Sequence, residues 1–174
     1  MPQRIIFLDI DGVLIPSSVW AHKTKKPFPR LIVLFFRRIM THLRDVIAQE
    51  VQFKEQSVTL INQVTKTCGA RIVINSNWPL TMGRRRTFGR LKQAGLDTEL
   101  LHKDWHINLR GVLKSLGITL WIKAHPPVHG IIVDDSEFER HAKRLGLANV
   151  RVDRNRGLSE SDAETIRRIF EGKE

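Results

Sequence analysis

Residues 4–15 read RIIFLDIDGVLI, an apolar run closed by two carboxylates. Ile5, Ile6, Phe7, Leu8 and Ile10 show no polar alternation, which is the pattern of a strand buried on both faces of a parallel sheet. Asp9 and Asp11 stand two apart at its far end, so an extended chain sends both to the same side. Like charges at close quarters repel, and burying them without partners is costly. A chain with this segment has to bring a cation or several donors to that strand end.

The same design recurs downstream. RIVINS (71–76) and HGIIVDDS (129–136) read as buried strands with polar ends, and NVRVD (149–153) as a fourth strand. Between them lie helical segments: 57–70, ending at Gly69; the basic 83–96, with Gly95 at its end; 113–127, stopped by Pro126 and Pro127; and 138–147. Residues 159–170 form a last helix, for which Ser159 and Asp162 make a capping box. Strands alternating with helices predict an α/β fold with a parallel sheet. At 174 residues, with no internal repeat, the chain is expected to be one domain. Residues 17–53 form a basic, mainly helical insert after the first strand, in which apolar positions from Ile32 to Ile47 follow helical spacing.

The insert's longest apolar run, LIVLFF, has six residues, far below the roughly 20 that span a bilayer. The single cysteine, Cys68, forms no internal disulfide and reads as a core residue near a helix end. A cytoplasmic location is the expectation. Charge says more: 29 Lys and Arg against 18 Asp and Glu give +11, with no acid between Asp11 and Asp45 or between Glu55 and Asp97. Extended fields of one sign favour polyanionic partners, DNA or RNA among them.

In open parallel sheets, ligands bind outside the carboxyl ends of the strands. Placing the three polar strand ends in one sheet gathers Asp9, Asp11, Ser76, Asn77, Asp134 and Asp135 at one rim. Several carboxylates there need a cation, and oxygen-only donors favour Mg²⁺ over zinc. A divalent cation beside a carboxylate nucleophile suits phosphoryl transfer, with a hydroxyl and a lysine to hold the phosphate. The seven histidines are scattered without ligand spacing, and Trp78 and Trp121 read as packing residues.

In this order, FLDIDGVLI, IVINSNW and IIVDDS resemble the first, second and fourth motifs of the haloacid dehalogenase (HAD) superfamily. The likeness runs from Ile5 to about Phe170. It points to the small HAD domain of multi-domain RNA-repair proteins and their standalone relatives, through GARIVINSNW, KSLGITLWIKAHP and VRVDRNRGLSESD. The resemblance implies a Rossmann-like three-layer sandwich and a Mg²⁺-dependent phosphatase. It implies Asp9 as nucleophile and Asp11 as the acid and base, with the Asp11 backbone carbonyl on the metal. It further implies Ser76 on the phosphoryl group and Asp134 with Asp135 completing the metal site. Lys114, which opens KSLGITLWIKAHP, takes the third-motif role by its distance to Trp121 and His125, ahead of Arg110 and Lys123.

Gly12, Asn77 and the cluster Arg84, Arg85 and Arg86 are the candidate substrate contacts. Close relatives often carry Arg after the second-motif Trp; here Pro79 follows Trp78, and the arginine cluster is the candidate to supply that charge. The expected substrate is a phosphorylated nucleic-acid end or a nucleotide. The alternatives are a small-metabolite phosphatase and a non-catalytic binding protein on the same scaffold.

Overall fold

The computed structural model describes residues 2–19, 52–108 and 113–172. The expected helix over 31–48 and most of the 17–53 insert, Trp20 included, lie outside the described residues, as does Arg110. Five parallel strands form one sheet in the order β3-β2-β1-β4-β5. They are β1 (Gln3–Leu8), β2 (Arg71–Ile74), β3 (Leu101–His106), β4 (Val128–Asp134) and β5 (Ala148–Arg151). The helices are α1 (Glu55–Thr67), α2 (Trp78–Thr81), α3 (Arg84–Gln93), α4 (Lys114–Ala124), α5 (Glu139–Arg144) and α6 (Glu160–Phe170).

Strand alternation sorts the apolar residues into two cores. Ile6, Leu8, Ile72, Ile74, Ile131 and Val133 pack with Ile61 of α1, Leu91 of α3 and Ile166 of α6. Ile5, Phe7, Val73 and Ile132 face the other way, against Ile118 and Trp121 of α4 and Ala142 of α5. Helices thus cover both faces, the three-layer arrangement that a doubly apolar strand requires. Phe7 meets Trp121 edge to face at 5.4 Å. Ile5, Ile6, Phe7 and Leu8 are fully sealed, each contributing about 1.5–3 kcal/mol by burial.

The helix ends follow the signals in the chain. Gly69 and Gly95 follow the last turns of α1 and α3 with φ of 59° and 89°. Ser159 and Asp162 form the reciprocal capping box of α6. Cys68 is buried at the C-cap of α1.

Two elements depart from the expectation. LHKDWH (101–106) is a strand, although it alternates poorly; it holds the sheet edge, where burial on both faces is not needed. WPLT (78–81) is a short helix started by Pro79 in its first turn.

Candidate active site

Register explains how the rim is assembled. Phe7 pairs with Val73 on one side and with Ile132 on the other. The ladder continues past the strands: Asp9 N–H donates to the Val133 carbonyl at 3.0 Å, and Asn75 N–H to that of Leu8 at 2.8 Å. Two residues beyond Phe7, Asp9 therefore lies between Asn75 and Asp134 on the face covered by α4. Lys114 is the first residue of α4, so the helix start overhangs this polar row.

The Lys114 ammonium contacts Asp9 Oδ2 and lies 3.1 Å from Asp134 Oδ2. Asp9 is 3% exposed and Asp134 fully buried. The second oxygen of each accepts a backbone donor: Asp9 Oδ1 from Ile10 N–H at 2.8 Å, and Asp134 Oδ1 from Ser136 N–H at 2.9 Å. Burial pushes the Asp9 carboxyl up to about 7; Lys114 opposes this, and the Asp134 and Asp11 charges add to it. Burial alone would lower the Lys114 ammonium, but Asp9 and Asp134 outweigh it and hold it above the ordinary lysine range.

After Asp9 the chain folds into a tight turn, with Val13, Leu14 and Ile15 N–H groups all directed to the Ile10 carbonyl. Gly12 makes the turn possible. Its φ is +79°, and a Cβ there would stand 2.5 Å from Asp135 Oδ2. The turn aims the Asp11 carboxylate at Trp78, whose Nε1 donates to Oδ2 at 3.0 Å. Asp135 Oδ1 accepts from Ser136 Oγ at 3.2 Å, and Arg154 Nε lies 3.6 Å from Oδ2.

These groups surround a cleft of about 290 Å³. Asp9, Asp11, Gly12, Ser76, Asn77, Lys114 and Asp135 line it, and so do Ser17, Ser136 and Arg154, which sequence reasoning had not singled out. Arg154 lies within VRVDRNRGLSESD, so the signal was present but attached to no role. Carboxylate oxygens of Asp9, Asp134 and Asp135 lie within 4.8 Å of one another, an oxygen-only donor set that suits Mg²⁺. The Asp11 carboxylate is not among them and turns to Trp78 instead.

Arg84, Arg85 and Arg86 do not enter the cleft. They stand exposed at the start of α3 and, with Phe88, Trp105 and Met82, line a separate groove of about 770 Å³. Asn75 was also missed. It is fully buried, and among the described residues both heteroatoms of its amide lack a hydrogen-bond partner. The histidines have no periodicity along the chain, yet folding places His102 and His125 beside Asp104.

Fold and rim together define a Rossmann-like α/β protein of the HAD type, with paired aspartates at the carboxyl end of its first strand. The model of the family described as the HAD domain in Swiss Army Knife RNA repair proteins matches residues 5–163, and the chain belongs to that family. Searches of curated proteins and of solved structures return no match. Membership supports a phosphatase-like hydrolase function in general terms. Among the described residues, no helix is long and apolar enough to cross a membrane.

Proposed function

We propose that the chain is a Mg²⁺-dependent phosphatase acting through an aspartyl-phosphate on Asp9, with phosphorylated nucleic-acid ends or nucleotides as substrates. The observation that carries this reading is the buried Asp9 carboxylate, held by Lys114 and lining a cleft together with Asp11. Asp9, Asp134 and Asp135 would hold the ion. Bound there, Mg²⁺ supplies the positive charge that lets an anionic phosphate approach a carboxylate.

The chain's own groups account for the rest. An Asp9 oxygen forms a bond to phosphorus as the bond to the leaving oxygen breaks. Asp11 donates a proton to that oxygen, then takes one from the water that hydrolyses the aspartyl-phosphate and frees Asp9. Trp78 fixes the Asp11 carboxylate by donating to its Oδ2. Ser76 and Lys114 bind the phosphoryl oxygens, whose charge spreads in the transition state. Nucleic acid as substrate is supported by the net charge of +11 and by the arginine-lined groove with two aromatic rings.

The test supplies Mg²⁺ with an aryl phosphate, and then with 3′- and 5′-phosphorylated oligonucleotides, using Asp9→Asn as control. Turnover of the aryl phosphate that is abolished in Asp9→Asn is expected, with higher kcat/KM on an oligonucleotide. Turnover unchanged in Asp9→Asn would sink the mechanism. Equal kcat/KM on small phosphates and oligonucleotides would favour a small-metabolite enzyme. Tight oligonucleotide binding without turnover would favour a binding protein.

A further inference from the structure

The acidic rim leaves unused a second cluster: His102 and Asp104 of β3 with His125 at the C-cap of α4. One ligand-capable atom from each lies within 4.8 Å of the other two. The cluster stands where β3 breaks its pairing. Leu101 pairs with Ile72 and His106 with Ile74, so the residues between them leave the ladder. Two hydrogen bonds pin this excursion: Asp104 N–H donates to His102 Nδ1 and Trp121 Nε1 donates to the Asp104 carbonyl, each at 3.0 Å.

His125 is oriented as a ligand would be. Its Nδ1 lies 2.8 Å from the Trp121 carbonyl oxygen, a contact that needs the proton on Nδ1. Nε2 then faces Asp104 Oδ2 at 3.0 Å. In a neutral imidazole that would set two lone pairs against each other, so a proton or a metal ion has to lie between them. A proton needs only those two partners. Here a second imidazole, His102, stands perpendicular to the first with ring centroids 5.3 Å apart. His102 is 6% exposed, whereas the Asp104 side chain is open to solvent, so one side of the cluster stays accessible. It adjoins a cavity of about 730 Å³ that also collects Gln3, Arg71 and Leu101, the residues that open β1, β2 and β3. The cluster therefore belongs to the end of the sheet opposite the acidic rim.

We propose that His102, Asp104 and His125 form a binding site for a borderline divalent transition ion, Zn²⁺ above all, with a fourth position open to water or an anion. Two imidazoles and a carboxylate match such ions and not Mg²⁺, and a backbone carbonyl on the second nitrogen of His125 is the usual support for a ligating histidine. His102 now uses Nδ1 on the Asp104 N–H, and ligation exchanges that contact for a bond to the metal. The bound ion would tie the edge strand β3 to the end of α4, the helix whose other end carries Lys114.

Co²⁺ titrated into the full chain, with Mg²⁺ in excess to fill the oxygen-only site, gives the readout. One equivalent with the intense visible bands of tetrahedral Co²⁺ is expected, displaced by Zn²⁺. His125→Ala and His102→Ala should each weaken Zn²⁺ binding at least about tenfold. Asp134→Asn, at the rim, should leave it unchanged. A measurement on the unaltered chain guards against variants that fail to fold. Ring-nitrogen NMR shifts of His102 and His125 should move on adding Zn²⁺, while those of His129 and His141 stay. No tetrahedral spectrum, Zn²⁺ affinity in the two His→Ala variants unchanged from the unaltered chain, or shifts confined to other histidines would each overturn the proposal.

Discussion

Lys114 and Asp9 come from residues 105 apart in the chain and meet inside the rim, where the same ammonium also reaches Asp134. Two carboxylates buried on neighbouring strands would repel, and this one cation offsets both. Removing it leaves uncompensated buried charge, which typically costs about 3–5 kcal/mol. Lys114→Met is therefore expected to lose that amount in urea unfolding at pH 8 without Mg²⁺, and less at pH 5, where Asp9 is protonated. Hydrolysis should fall by about 10²–10³, the size of losing one donor to a developing oxyanion.

Asp9 itself destabilises the metal-free fold when charged. Burial raises its carboxyl from 3.8 to about 7. A group shifted upward on folding contributes stability below the unfolded value, and that contribution is lost as pH rises through the folded one. Metal-free stability should decline between pH 4 and pH 7 on this account. Asp9→Asn, which has no charge to bury, should exceed the unaltered chain by at least about 1 kcal/mol at pH 8 and match it near pH 4. Mg²⁺ should narrow the difference, because an ion that binds only the folded state adds stability by mass action. Thermal unfolding across pH, with and without Mg²⁺, checks both parts.

The two cores and most of this rim are legible in the sequence for one physical reason. A strand buried on both faces must be apolar throughout, so the polar residue that ends it stands out, as Asp9, Ser76 and Asp134 do. Asn75 escaped because it looks like part of the same strand end. Its isolation depends on register, which puts it beside Asp9, and on α4 above it. Trp78 escaped because burial of the ring and donation by its N–H are indistinguishable in a sequence. β3 escaped because an edge strand that leaves its ladder does not alternate.

Trp78→Phe separates those two roles. Phe keeps an aromatic ring near Phe53, which Trp78 meets at 5.5 Å, but offers no donor to Asp11. A hydrogen bond to a charged group is worth about 1.5–3 kcal/mol. The expected outcome is a folded protein with kcat lowered about tenfold or more and KM little changed. A loss confined to KM would show that Trp78 does not orient Asp11.

Asn75 presents a buried amide without a partner among the described residues, a burden of about 1–3 kcal/mol. Asn75→Val fills similar volume with apolar atoms and should raise the unfolding midpoint. Its place in the polar row predicts that activity falls at the same time, since Asp9 loses a polar neighbour on the β2 side. A gain in stability with full activity would assign Asn75 no part in the site.

The groove at the start of α3 makes the polyanion reading quantitative. Arg84, Arg85 and Arg86 are exposed beside Phe88 and Trp105. Each phosphate neutralised releases counterions, and on single strands log K changes with log salt by about −0.7 per contact. Replacing all three arginines by Ala should cut that slope by about 2 for oligonucleotide binding and leave aryl-phosphate hydrolysis untouched, because none of them lines the cleft. Phe88→Ala should cost about 1–3 kcal/mol in oligonucleotide affinity without changing the slope, the signature of a stacked base rather than a charge. A slope unaffected by the triple replacement would move the polyanion contact away from α3.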